Sequence, residues 1–176
     1  TNATTRHGEH GKALLSRWPV VRHRHEDMSD HRFEQRGLLH VELMVAGQPV
    51  HVIVVHLGLI KGSRVRQVAQ LGAFIEREVA PYEPVVVAGD FNDWRRHAHR
   101  ILKDGADLDE VFLTANGRSA PTFPAKFPVL ALAPLYLRGV ASHRPPPPPK
   151  PPWAPLPAPA PPAPHPARSP GTRTSR

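Results

Sequence analysis

"VVVAGDFND", residues 85–93, is the stretch on which the reading of this chain turns. Val85 to Ala88 form an apolar run that meets Gly89, and Asp90, Asn92 and Asp93 follow within four positions. A short continuous apolar run closed by glycine reads as a strand buried on both faces. Its polar groups then stand where burial stops. If the extended geometry persists, Asp90 and Asn92 point the same way and Phe91 points opposite, where it can pack. Asp93 reads as the N-cap of a following helix, and Gly89 as the residue that lets the backbone turn.

Upstream, "VHVIVVHL" (50–57) is apolar on both faces through Val55, so it is expected to be a central strand that carries His56 to its end. The segment before it, "LLHVELMVA" (38–46), alternates. Leu39, Val41, Leu43 and Val45 share one face, and His40, Glu42 and Met44 the other. "AGQP" (46–49) joins the two as a hairpin, with Gly47 able to take a positive φ and Pro49 at the strand edge. Residues 63–79 place Val65, Val68, Leu71, Phe74, Ile75 and Val79 at helical spacing, with Ser63 as N-cap and Pro81 as stop.

The ends are less regular. "ALLSRWPVV" (13–21) reads as a short buried strand ending at Pro19, followed by a polar loop over 22–37. "WRRHAHRILKD" (94–104) reads as a short helix ended by Gly105, and a turn is expected at Asn116–Gly117. Strand, hairpin, helix, strand and helix in that order imply an α/β (α+β) sheet, mostly buried on both faces, with helices packed outside.

Composition divides the chain of 176 residues. Fifteen of its 23 prolines lie in 143–176, with five Lys/Arg and no Asp or Glu. That stretch is expected to be a disordered, polyproline II-like tail, and 1–142 a single domain. Most of the net charge of +8 belongs to the tail, so no nucleic-acid patch is read from it. The absence of cysteine excludes disulfides and thiolate metal sites. With no apolar run near the length of a membrane span and no basic-then-apolar leader, a soluble cytoplasmic protein is expected.

In layered α/β architectures ligands collect beyond the strand ends. His56, Asp90 and Asn92 would converge there, a set that suits phosphoryl chemistry. Asp can orient and deprotonate water, Asn can donate to an oxyanion or ligate a hard metal, and His can protonate a leaving oxygen. Oxygen-rich ligands without Cys favour Mg²⁺, Mn²⁺ or Ca²⁺ over zinc. Arg64 and Arg66, with Gln67, open the helix beside this crevice and are candidate phosphate contacts, with surface solvation the alternative. His23, His25 and His31 are read as a solvated loop rather than a metal cluster, and His97 and His99 as pointing to different faces.

"HGKALLSRWPV", "FEQRGLLHVEL", "VHVIVVHLGL", "VVVAGDFNDWR" and "APTFPAKFPVL…LYLRGV", in that order, resemble the endonuclease/exonuclease/phosphatase superfamily with its deoxyribonuclease I-like fold, in particular a small bacterial branch of metal-dependent hydrolases. The resemblance runs from about residue 2 to 140. It implies a β-sandwich flanked by helices, present here in part, and a phosphoester substrate: nucleic acid, phospholipid or inositol phosphate. It also implies Mg²⁺ or Mn²⁺, with Asp90 activating water, Asn92 holding phosphate or metal, and His56 stabilising the phosphate or protonating the leaving group.

Departures accompany the resemblance. The family's Glu metal ligand lies on a strand that would precede Thr1. The Asp of its Leu-Asp-Arg-Ile-Tyr pattern is replaced by Ala133, and its closing Ser-Asp-His gives way to the proline tail. The chain is therefore expected to be an N-terminally truncated member, its tail the product of a lost reading frame, with weak metal affinity and doubtful activity. Ser29, Asp30 and His31 repeat the Ser-Asp-His motif at a position with no catalytic counterpart. Thr122, Phe123 and Pro124 match a family signature that packing explains equally well. The competing reading is a non-catalytic interaction protein whose "RPPPPPKPPWAPLPAP" engages SH3- or WW-type grooves. A nucleic-acid binder without cleavage is a third.

Overall fold

A computed structural model describes residues 3–5, 8–30, 35–93 and 97–140. The proline-rich stretch, and with it the expected tail and its SH3 or WW partner, lies outside the described residues, as does His31. Two short strands, β1 (Ala3–Thr5) and β2 (Gly8–His10), pair with each other. The main sheet takes β3 (Val20–Asp27), β4 (Gly37–Val45), β5 (Gln48–His56), β6 (Val85–Asp90), β7 (Asp109–Glu110) and β8 (Leu135–Arg138) in the order β3-β4-β5-β6-β8-β7. Helices α1 (Lys61–Glu78), α2 (His97–Ala106) and α3 (Val111–Asn116) complete the described chain. Only β5 and β6 pair in parallel, joined by the α1 crossover; the other main-sheet neighbours are antiparallel.

The expected hairpin forms as β4 and β5, turning at Ala46 and Gly47, both at positive φ. Pro49 precedes the first rung between β5 and β6, His51↔Val85, so its missing N–H interrupts no ladder between those strands. One sheet face buries Leu38, Ile53, Val55, Val85 and Val87 against Val68, Leu71, Phe74 and Ile75 of α1 and against Leu102 and Ala106 of α2. Each fully buried aliphatic or aromatic side chain contributes about 1.5–3 kcal/mol, which holds α1 in place without a side-chain cap.

The opposite face is less covered than a sheet buried on both sides. Leu39, Val41 and Leu43 are buried there with Leu14, Val45, Val52 and Val54 packed against them, while Val86 and Ala88 are half-buried.

Four boundaries differ from the sequence reading. Residues 11–16 form no regular element, and Leu15 is 96% exposed. The strand is instead the polar run Val20–Asp27, an edge strand whose ladder to β4 needs no apolar alternation. Its charges pair outward: Arg22 with Glu42, Arg24 with Glu78, and Arg77 with Glu26. Ser63 does not cap α1, which begins at Lys61; its hydroxyl donates to Asp30. Gly105 lies within α2, whose end is marked by Asp107 at φ 50. Gly117, at φ 70, caps α3 as the expected turn.

Gly89 does more than relax a turn. It pairs with Val55 within the ladder at φ +135, and a Cβ there would meet the Val55 carbonyl oxygen at 2.0 Å. Gly89→Ala is therefore expected to lower stability by about 2–4 kcal/mol in urea denaturation, from backbone strain and overpacking together. A second expectation concerns His40, buried on β4. Its Nε2 lies 2.9 Å from His51 Nδ1, and His51 Nε2 lies 3.1 Å from Glu83 Oε2. Burial first, then His51 and Arg22, against Glu42 and Glu78, pulls His40 down to about 4. The unfolded chain takes up this proton near pH 6.5 and the folded chain does not, so stability held above that pH is lost as pH falls toward 4. About 3 kcal/mol should disappear across that window, and His40→Leu should flatten the slope.

Candidate active site

The β5–β6 ladder runs without slippage from His51↔Val85 to His56↔Asp90, so the two strands end on the same rung. Beyond it the Leu57 amide donates to the Asp90 carbonyl at 2.8 Å, carrying the parallel pairing one step further. His56 Nε2 stands 3.9 Å from Asp90 Oδ2, and the two side chains are 48% and 45% exposed. An imidazole and a carboxylate thus share a solvent-facing rim at the end of two core strands.

Asn92 joins them by a different route from the one its spacing suggests. The strand ends at Asp90, and Asn92 takes a left-handed φ of 50, a conformation asparagine tolerates well. Asp90 Oδ1 accepts the Asn92 amide at 2.9 Å, closing an Asx turn. The Asn92 carboxamide nitrogen donates to the Leu57 carbonyl at 3.0 Å, bridging back to the extension of β5. Phe91 is fully buried, as expected, and contacts Tyr136 at a ring separation of 5.2 Å.

The basic residues at the start of α1 have internal partners. Arg64 is buried; its Nη1 donates to the carbonyls of Gly58 and Leu59 at 3.1 and 3.0 Å, and its Nε lies 3.8 Å from Asp93 Oδ1. Gln67, fully buried, accepts the Gly58 amide at 2.8 Å. Arg66 is exposed and forks onto both carboxylate oxygens of Asp30. Asp30 of the Ser-Asp-His look-alike thus anchors α1, and Ser29 bonds the backbone of Arg36. His23 and His25 are exposed on β3.

Asp93, three residues beyond Asp90, has an unlike environment. It is buried, and its Oδ2 accepts the Ala98 amide at 2.6 Å in the first turn of α2. Its Oδ1 faces His97 Nδ1 at 3.7 Å as well as Arg64. A cavity of about 180 Å³ is lined by Asp93, His99, Glu110, Ser119 and Tyr136 among others. His56, Asp90 and Asn92 are not part of that lining. Its acids are committed: Glu110 is fully buried and accepts the amides of Phe112 and Leu113 as the cap of α3. Burial, followed by Glu110 and Asp93, holds the Tyr136 hydroxyl well above the ordinary phenol range, so it stays protonated. Thr122 receives the amides of Leu132 and Ala133 on its hydroxyl, while Phe123 is exposed rather than packed.

Gln67 and Arg64 are the supporting residues whose backbone role the sequence conceals. A helical heptad places them toward the core, but only the path of residues 57–60 shows what they hold.

The pattern of the Endonuclease/Exonuclease/phosphatase family matches residues 2–173. "Uncharacterized protein YbhP" of Escherichia coli strain K12 is 41% identical over 154 residues, 86% of this chain and 60% of that protein. The chain thus spans less than two thirds of the length of this curated relative. Among solved structures, D. rerio TDP2 complexed with a single-strand DNA product gives a TM-score of 0.56 at 16% identity over 72% of this chain and 55% of that one. A mannosyl-6-phosphatase of Bacteroides thetaiotaomicron gives 0.54 at 14% identity, over 68% and 52% respectively. At such identities the likeness is one of fold, and it bears out the deoxyribonuclease I-like expectation. The family of nucleases and phosphatases anticipated from five sequence segments is the one to which this chain belongs.

Proposed function

We propose that the rim formed by His56, Asp90 and Asn92 hydrolyses phosphoester bonds with a divalent cation. The observation that carries this reading is the shared last rung of β5 and β6, which sets an imidazole and a carboxylate 3.9 Å apart in solvent. A donor set of the Asp90 carboxylate and the Asn92 carboxamide oxygen suits a hard ion. Among the described residues no group of three or more His, Cys, Asp or Glu could cage one. Mg²⁺ or Mn²⁺ held by Asp90 and Asn92 would therefore be anchored by few protein oxygens and would keep much of its water. Such an ion would neutralise charge on the phosphoryl oxygens.

The chain's own residues divide the remaining work. Asp90 Oδ1 is fixed by the Asn92 amide, which orients the carboxylate and leaves Oδ2 on the side of His56. From there Asp90 can accept a proton from an attacking water. Asn92, its carboxamide nitrogen engaged by the Leu57 carbonyl, keeps its oxygen for the metal ion without side-chain reorganisation. His56 can donate to a phosphate oxygen or to the departing group. Neither Arg64 nor Arg66 is assigned a phosphate, since carbonyls hold the first and Asp30 the second.

Turnover of bis(p-nitrophenyl) phosphate in millimolar Mg²⁺ or Mn²⁺ should fall at least about hundredfold in Asp90→Ala and about tenfold or more in His56→Ala. No turnover by the intact chain, or turnover indifferent to Asp90→Ala, would overturn the reading. Asp93→Ala should act differently. Loss of a buried carboxylate that caps α2 beside Arg64 is expected to destabilise by about 2–4 kcal/mol, whereas half-exposed Asp90→Ala should shift the denaturation midpoint far less.

A further inference from the structure

Two segments flank the rim, and both expose apolar side chains. The first, residues 57–60, leaves β5 directly after His56. Leu59 and Ile60 on it are 62% and 58% exposed. The second spans residues 122–132, closed by a bridge between Phe123 and Leu130. On it Phe123, Phe127 and Val129 are 53%, 58% and 67% exposed. Both are tied to the same step of the backbone at the end of β6: Leu57 N to Asp90 O, and Phe91 N to Leu132 O, each 2.8 Å.

The first segment is held in shape by buried polar groups. Gln67 takes the Gly58 amide, Arg64 binds the carbonyls of Gly58 and Leu59, Asn92 binds the carbonyl of Leu57, and the Arg64 amide takes that of Ile60. Residues 57–60 are therefore fixed by the core while two aliphatic side chains face water. Apolar exposure on a segment held this firmly beside a polar rim marks an interaction surface rather than a loose loop. Its charge indicates the partner. Residues 57–67 and 117–140 contain no Asp or Glu; Lys61 follows Ile60 directly, and Lys126 stands between Phe123 and Phe127. Aliphatic and aromatic tips interleaved with lysines match the boundary between acyl chains and anionic headgroups.

We propose that this edge docks on an anionic phospholipid surface, which brings a lipid phosphoester to His56 and Asp90. The identity of the hydrolysed bond rests on the phosphoester reading; the docking itself does not. A polynucleotide would profit from the lysines and could stack on Phe123 and Phe127, but the aliphatic Leu59, Ile60 and Val129 offer it no stacking face, so it is the less favoured occupant.

Flotation of the full chain with phosphatidylcholine vesicles, with and without phosphatidylglycerol, tests this. The chain should float with the anionic vesicles, and partitioning should weaken about tenfold or more in Leu59→Ser/Ile60→Ser and in Phe127→Ser/Val129→Ser. Because these side chains are exposed, both variants should melt like the parent. Asp90→Ala should float unchanged. A parent chain left in the aqueous fraction, or variants that float equally well, overturns the proposal. So does capture of single-stranded oligonucleotide in place of vesicles, weakened by Lys61→Ala and indifferent to Leu59→Ser/Ile60→Ser. Flotation without ester turnover would count against the hydrolase reading alone. Turnover of the soluble ester without flotation would count against docking alone.

Discussion

The close approach of Gly89 to the Val55 carbonyl is the constraint on which the rest of this structure depends. It lies on the penultimate rung of the only parallel pairing in the described sheet, one step before His56 meets Asp90. Side chains alternate along a strand, so a slip of one residue would turn Asp90 to the other face and set His56 against a different partner. A residue with any Cβ would hold the strands apart at this rung. The α1 crossover contributes at a distance: it packs Val68, Leu71, Phe74 and Ile75 over both strands and so fixes their relative height.

Around that rung, polar groups fall into two kinds. Asp93, Arg64, Gln67 and Glu110 are buried, and each hydrogen-bonds backbone amides or carbonyls. Asp90 and His56 are half-exposed and keep an edge toward solvent. Asn92 stands between, buried, with its nitrogen engaged by Leu57. Two carboxylates three positions apart in sequence thus have opposite functions, one structural and one facing whatever arrives from water. The difference is set by burial and partner, since the residue type is the same.

Much of this was legible in the residues. The hairpin, the crossover helix and the strand 85–90 announce themselves by alternation, helical spacing and a continuous apolar run, because each buries a face large enough to impose a pattern. The convergence of His56 and Asp90 followed from two buried strands ending in polar groups. Edge strand β3 was not legible: its stability lies in a backbone ladder and outward ion pairs, which leave "RHRHED" looking like a loop. The left-handed Asn92 was missed for a related reason. An Asx turn and a continuing strand share the same spacing of polar residues, and the distinction rests on the Leu57 carbonyl, which belongs to a segment more than thirty residues earlier.

The amide of Leu57 on the carbonyl of Asp90 carries a kinetic implication. Ladders fray from their ends, and this bond is the outermost clasp of a pairing whose interior is secured by the core. Any chemistry at the rim would then be sampled only while that clasp is shut. Because Gln67, Arg64 and Asn92 grip the segment just beyond it, that clasp should part no sooner than the sheet itself melts.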